Sequence, residues 1–289
     1  MTATASSWSL ISETIDIENG CLVGVLNVTP DSFSDAGEYL DPVAAVAHGL
    51  AMTEQGASVV DVGGESTRPG AEPVSDHVEL SRVMPVVSGL IAQGVRVSID
   101  TQKPGVAESA LDAGAVIVND VGGFEDEGMM DLVADRRCGV MIVHKQGTAA
   151  ERYADTRYDD VVGEVEEYLL DRAQRLVDAG VDRARVAIDP GIGFGKRAAD
   201  SLALLGNLDR LTRHGLPVVV GASRKGFIGK VIGADSREGR DTATATITAL
   251  TYTLGARVFR VHHVPKSRDA LRLAAAIVAS EQWDGWLQG

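Results

Sequence analysis

Asp100, Asn119 and Asp189 each stand at or near the end of a short apolar run, in VRVSID, VIVND and RVAID. Two carboxylates and an amide at one depth suit a small planar ligand bearing several N–H and C=O groups. An ionised Asp can accept two parallel N–H bonds from an amino-pyrimidine edge, as it does from arginine. A lone Asp in such a place would more simply cap the next helix; the recurrence favours a ligand. A second set is basic. GASRKGFIGK, residues 221–230, carries Ser223, Arg224 and Lys225 just after another apolar run, and RVFRVH ends in Arg260 and His262. Alternation along a strand sends those two to the same face, where both can grip one phosphate. Ser223 as a helix cap and Arg260 as an ion-pair partner are the plainer alternatives. In an acidic chain, however, the grouping of Lys225, Arg260 and His262 points to an anion. DPGIGFGK, residues 189–196, adds Gly191, Gly193 and Gly195, which permit a backbone turn close against a ligand. Phe194 reads either as an aromatic wall for a flat substrate or as ordinary packing.

Residues this far apart in the chain need a frame that returns them to one rim. Eight apolar runs recur: LVGVLN, SVVDVGGE, VRVSID, VIVND, VMIVH, RVAID, PVVVGASRK and RVFRVH. They are rich in Val and Ile and nearly devoid of alternation, as strands buried on both faces require. Between them lie segments of helical periodicity at about 42–56, 76–93, 104–113, 127–137, 159–180, 200–214, 239–255 and 265–281. Strand then helix, eight times, predicts a TIM (β/α)8 barrel, whose site lies at the strand C-termini. An open doubly wound sheet is the alternative, but no Gly-x-Gly-x-x-Gly turn follows the first run. Residues 1–20 form no ninth unit and are expected as an extension, a short hairpin plugging the barrel's lower end. Residues 21–289 are expected as a single barrel domain. The irregular connections 29–41, 66–73 and 145–158 all follow strand C-termini, where loops build a site and close over it.

Composition excludes several classes. The chain has 289 residues, 45% hydrophobic, and a formal charge of −14, which argues against a nucleic-acid or anionic-membrane surface. Two cysteines, Cys21 and Cys138, make a disulfide framework improbable and fit a reducing cytosol. No basic-then-apolar leader opens the chain, and no apolar stretch nears the roughly 20 residues that span a bilayer. The expectation is a soluble, cytoplasmic protein.

The runs also carry longer motifs. LNVTPDSFSDAG (26–37), GESTRPGA (64–71), SIDT (98–101), NDVGG (119–123), HKQG (144–147), DPGIGFGK, GASRKGFIG and RVH resemble, in order, the dihydropteroate synthase family, over residues 22 to about 275. The resemblance implies a TIM barrel, in agreement with the strand count. It implies a transferase of folate biosynthesis that condenses 6-hydroxymethyl-7,8-dihydropterin diphosphate with 4-aminobenzoate, releasing diphosphate. Asp100, Asn119, Asp189 and Lys225 then resemble the pterin-binding set. Asn27, Arg260 and His262 resemble the diphosphate set, with Mg²⁺ bridging Asn27 and the leaving group. Phe33, Thr67, Arg68, Pro69, Phe194 and Ser223 resemble the 4-aminobenzoate pocket, the target of sulfonamides. Asp100, Lys225, Arg260 and His262 carry the catalytic electrostatics. A homodimer is also implied, for which the helical faces around 239–255 and 265–281 are the candidates.

Three positions depart from the family's usual pattern: Lys145 where Met is common, Ala36 in place of a glycine, and His263 in place of Asp. Lys145 facing the pterin would oppose a developing positive charge; pointing outward it would be merely solvated. His263 alternates away from His262 and is expected to pack under a helix, and Ala36 should stiffen the first loop. Lys145 and His263 motivate a second reading, a non-catalytic pterin-binding paralogue. A folate-dependent methyltransferase is a third, with little reason to keep both the TPDSF loop and the Arg260/His262 pair.

Overall fold

The computed structural model describes residues 4–29, 41–67, 70–147, 157–233 and 236–280. A hairpin of β1 (Ser7–Ser9) and β2 (Thr14–Asp16) precedes eight parallel strands: β3 (Cys21–Asn27), β4 (Val59–Gly63), β5 (Val97–Asp100), β6 (Ile117–Asp120), β7 (Gly139–Val143), β8 (Val186–Asp189), β9 (Val219–Val220) and β10 (Val258–Val261). Their spatial order is β8-β7-β6-β5-β4-β3-β10-β9. The seam between β8 and β9 is drawn together by one bridge, Ile188 to Val218, and by the Ile188 N–H donating to the Pro217 carbonyl at 2.9 Å. Pro217 has no N–H of its own, so the ladder is thin there. The result is the nearly closed TIM-like barrel that the eight runs predict.

Ten helices cover it: α1 (Pro42–Glu54), α2 (Asp76–Ile91), α3 (Pro104–Ala113), α4 (Glu127–Arg136), α5 (Val161–Asp178), α6 (Ala198–Gly206), α7 (Asp209–Thr212), α8 (Gly226–Ile232), α9 (Arg237–Thr253) and α10 (Val264–Val278), counted among the described residues. The single helix expected over 200–214 is two pieces, broken at Asn207, whose φ of −125° leaves the helical region. Helix α8 lies in the basic stretch that periodicity passed over, being too short to show a period.

Two apolar layers follow from strand alternation. Leu22, Leu26, Val60, Val62, Ile99 and Val118 point outward and pack under the helices. Cys21, Val23, Val59, Ile117, Met141 and Val258 point inward at the lower end, where Trp8, Leu10, Ile15 and Ile17 of the hairpin segment join them. The Trp8 indole N–H finds its partner in the Arg185 carbonyl at 2.8 Å. The hairpin thus stoppers the lower end with a fully buried tryptophan.

Candidate active site

Two residues higher on the same inward faces, the side chains turn polar. Register places Asn27 beside Gly63, Gly63 beside Asp100 and Asp100 beside Asn119, one row across four strands. Gly63 leaves a gap in that row: a Cβ there would lie 3.5 Å from Asn27 Oδ1 and 3.7 Å from Asp100 Oδ2.

Arg260 is the hub beneath the row. Its Nε donates to Asp61 Oδ2 at 3.0 Å, and its Nη2 donates to Asp61 and, at 2.8 Å, to Asp100 Oδ2. The Asn119 amide donates to the same Asp61 oxygen at 3.1 Å. Asp61 Oδ1 and Asn119 Oδ1 are buried with no hydrogen-bond partner among the described residues. Buried acceptors left this way carry a desolvation cost that a ligand's N–H groups would relieve. Burial pushes the Asp100 carboxyl up from its ordinary range, opposed by Arg260 and reinforced by the charge of Asp61. Burial acts against the charged form of Arg260 too, but Asp61 and Asp100 more than offset it and hold the guanidinium protonated. Asp61 is a site residue that the sequence reading missed. Its signal was present: an acid flanked by Val60 and Val62, both packed outward, has only the barrel interior to face.

The glycine-rich turn after β8 forms the next part of the rim. Asp189 accepts the Gly191 N–H at 2.7 Å, so it caps its own turn rather than a helix. Burial raises its pKa, opposed by that bond and by Arg260. Gly191 and Gly195 have φ of 65° and 61°, and a Cβ on them would fall 1.8 Å from the His144 carbonyl oxygen and 2.0 Å from that of Gln146. Only glycine lets this turn lie flat on the chain after β7. Phe194, which the turn carries, presents its ring to Lys225, whose ammonium sits 3.6 Å from the ring centroid. Burial, then Arg260, lowers the Lys225 pKa to about 8. Lys196, also missed from sequence, ends the turn: its buried amine lies 2.8 Å from His144 Nδ1, and burial lowers its pKa to about 7.

The remaining residues divide. Ser223 is no helix cap; its hydroxyl meets His262 Nδ1 at 2.9 Å and accepts the His262 N–H at 3.1 Å. His262 lies just past the end of β10, and it and Arg260 contact different partners. Arg224, with φ 56°, turns away to a two-point ion pair with Asp241. His263 does not simply pack under a helix: it caps α10, accepting the Lys266 N–H at 3.3 Å. Lys145 donates to Gln102 Oε1 at 2.8 Å and bears on Asp120, whose pKa burial raises to about 6. Thr67 is half-buried at the start of the second loop, whose base is pinned where Glu65 accepts both Lys103 and the Val74 N–H, the latter at 3.3 Å. Phe33, Ala36, Arg68 and Pro69 lie outside the described residues.

For a metal, no group of three or more His, Cys, Asp or Glu side chains is gathered among the described residues. Mg²⁺ commonly binds through one or two protein oxygens plus substrate phosphates. Asn27 Oδ1 and Asp100 Oδ2, both facing the gap above Gly63, are donors of that kind.

A parallel barrel with charged groups gathered at the C-terminal rim is the plan of a barrel enzyme. The family model described as pterin binding enzyme matches residues 23–262. The chain is 51% identical over 262 residues to dihydropteroate synthase from Mycobacterium leprae, covering 88% of this chain and 92% of that one. It superposes on the Xanthomonas albilineans dihydropteroate synthase with 4-aminobenzoic acid at a TM-score of 0.88 and 42% identity, covering 96% of this chain and 99% of the other. The Yersinia pestis dihydropteroate synthase with a sulfonamide drug gives a TM-score of 0.90 at 33% identity, covering 95% and 99%. The chain belongs to the dihydropteroate synthase family of pterin-binding transferases, which condense a pterin with 4-aminobenzoate to form dihydropteroate.

Proposed function

We propose that the rim binds 6-hydroxymethyl-7,8-dihydropterin diphosphate and that diphosphate departs before the amine of 4-aminobenzoate attacks. The observation that carries this is the Arg260 hub with its unpaired acceptors on Asp61 and Asn119. Those oxygens, with Asp189 and Lys225, suit the alternating N–H and C=O groups of a pterin edge. As the C–O bond breaks, positive charge grows on the pterin methylene, and the carboxylates of Asp100 and Asp189 favour it. Arg260 and His262 favour the departing anion. Asn27, with Asp100 beside it, would hold Mg²⁺, which when bound neutralises diphosphate charge. The amine nitrogen then forms the C–N bond and releases its proton; no side-chain nucleophile is required.

Phe194, Ser223 and Thr67, with Phe33, Arg68 and Pro69, would complete the 4-aminobenzoate pocket, and relatives holding 4-aminobenzoic acid and a sulfonamide drug support that assignment. Sulfonamides should therefore compete with 4-aminobenzoate. Residues 21–289 would act as one domain, with residues 1–20 as its stopper. Exposed Leu250 on α9 and Leu273, Ile277 and Val278 on α10 form an apolar face fit for a homodimer. Among the described residues no helix is long and apolar enough to cross a membrane, in keeping with work in the cytoplasm.

The test is a coupled assay: diphosphate and dihydropteroate should appear only with both substrates and Mg²⁺ supplied. No product at high enzyme concentration, with calorimetric binding of pterin diphosphate but not of 4-aminobenzoate, would favour the non-catalytic paralogue instead.

A further inference from the structure

Lys196 is buried, and its ammonium has three acceptors: His144 Nδ1 at 2.8 Å, the Phe194 carbonyl at 3.0 Å and the His144 carbonyl at 3.3 Å. That uses all three N–H donors of a lysine. None of the three acceptors is a carboxylate, so burying a lysine amine here is costly, more so than a methionine of the same length would be. Burial lowers the Lys196 pKa to about 7; in its protonated form it only donates, and His144 then accepts through Nδ1 and carries its proton on Nε2. Burial and the Lys196 charge keep the imidazole neutral, with its pKa lowered to about 3. The ring is itself fixed edge-on against Tyr168, centroids 4.8 Å apart.

The two ends of this contact belong to different parts of the rim. His144 follows β7 directly, whereas Phe194 rides on the glycine-rich turn after β8. That turn already lies so close to His144 and Gln146 that neither Gly191 nor Gly195 could bear a side chain. Lys196 closes the far end of the contact by holding the Phe194 carbonyl, and the ring of that same residue meets the Lys225 ammonium. A continuous path runs from His144 through Lys196 and Phe194 to Lys225.

We propose that Lys196 and His144 are a positioning pair for the reaction: the buried Lys196 amine staples the end of β7 to the glycine-rich turn and thereby fixes the Phe194 ring against Lys225. This rests on the reading of Lys225 as a pterin-binding group. It assigns work to Lys196 and to the His144 end of β7, neither of which touches the proposed chemistry directly.

The test is a double-mutant cycle in the full chain, with folding checked by circular dichroism and melting temperature. Lys196→Met keeps the stem and removes the donors; Phe194→Leu keeps an apolar side chain and removes the ring. Each should lower kcat/KM for pterin diphosphate on the order of 10- to 100-fold, the scale of a small misplacement. The double variant should lose little more than the worse single variant, because both break one path. Multiplicative losses, or wild-type kinetics in folded Lys196→Met, would overturn the proposal. If Lys196→Met does not fold, His144→Gln, which retains an acceptor, should stay well above His144→Leu in kcat/KM; equal losses would overturn it. Lys225→Ala separates the two levels: a wild-type rate there breaks the pterin-site reading itself, whatever the cycle gives.

Discussion

The two ends of one barrel are built from the same strands, two residues apart, and share almost no chemistry. Val59 and Val258 belong to the lower layer, sealed by Trp8; Asp61 and Arg260, the next inward residues, form a buried ion pair. Likewise Ile117 gives way to Asn119 and Ala187 to Asp189. The lower end gains stability from each residue by burial alone. The upper end spends part of that stability on desolvated charge, and keeps buried acceptors that have no protein partner among the described residues. Function in this fold is thus a matter of height along a strand, with stability and activity separable by mutation.

That separation can be broken from either side. Lys225→Ala should lower turnover on the order of 10²–10³ as loss of a preorganised electrostatic group, with the melting temperature held. Trp8→Ala should do the reverse, costing about 3–5 kcal/mol of stability by denaturant titration with kcat per folded molecule unchanged. A large fall in kcat for the Trp8 variant would mean that the ends are not independent. Asp61→Ala is expected to lose on both counts. Removing one partner of a buried pair costs about 3–5 kcal/mol, and pterin binding should weaken with it as Arg260 loses its seat.

The pH profile sharpens the comparison, since only the upper end holds groups whose charge the reaction uses. Lys225, lowered by burial to about 8, is protonated below that pH and loses its charge above it. Asp100 and Asp189, raised by burial, take up protons as pH falls. The kcat/KM for pterin diphosphate should therefore decline above about pH 8 and again on the acid side. An alkaline limb near the ordinary lysine value would contradict the buried placement of Lys225. The smallest effect is expected at His263: replacement by Ala should cost about 0.5–2 kcal/mol as a lost helix cap, whereas Asp should keep the cap, and neither should alter turnover.

Much of this was legible in the sequence. Val-rich runs ending in Asp, Asn or His fixed the strand count and the rim, because a buried parallel strand has no structural use for a polar tip. The family motifs then divided that rim into sectors. What stayed hidden did so for physical reasons. Asp61 sits mid-run, where an acid looks like an interruption until its neighbours' outward packing is known. Lys196 ends a motif whose glycines drew the eye, and its role depends on a carbonyl and an imidazole from another strand. Helix α8 is too short to have a period. The places of His263 and Lys145 were equally hidden, since each depends on a partner: one caps a helix, as the usual Asp can, and the other donates to Gln102.

The most direct test of the rim is the affinity of Asp189→Asn for 6-hydroxymethyl-7,8-dihydropterin diphosphate, measured by calorimetry. Asn can still accept the Gly191 N–H, so the turn survives while the carboxylate is lost. A charged hydrogen bond of this kind is worth about 1.5–3 kcal/mol, so Kd should rise about 10- to 100-fold with the melting temperature unchanged. A wild-type Kd in the folded variant would contradict the assignment of the upper rim as the pterin site.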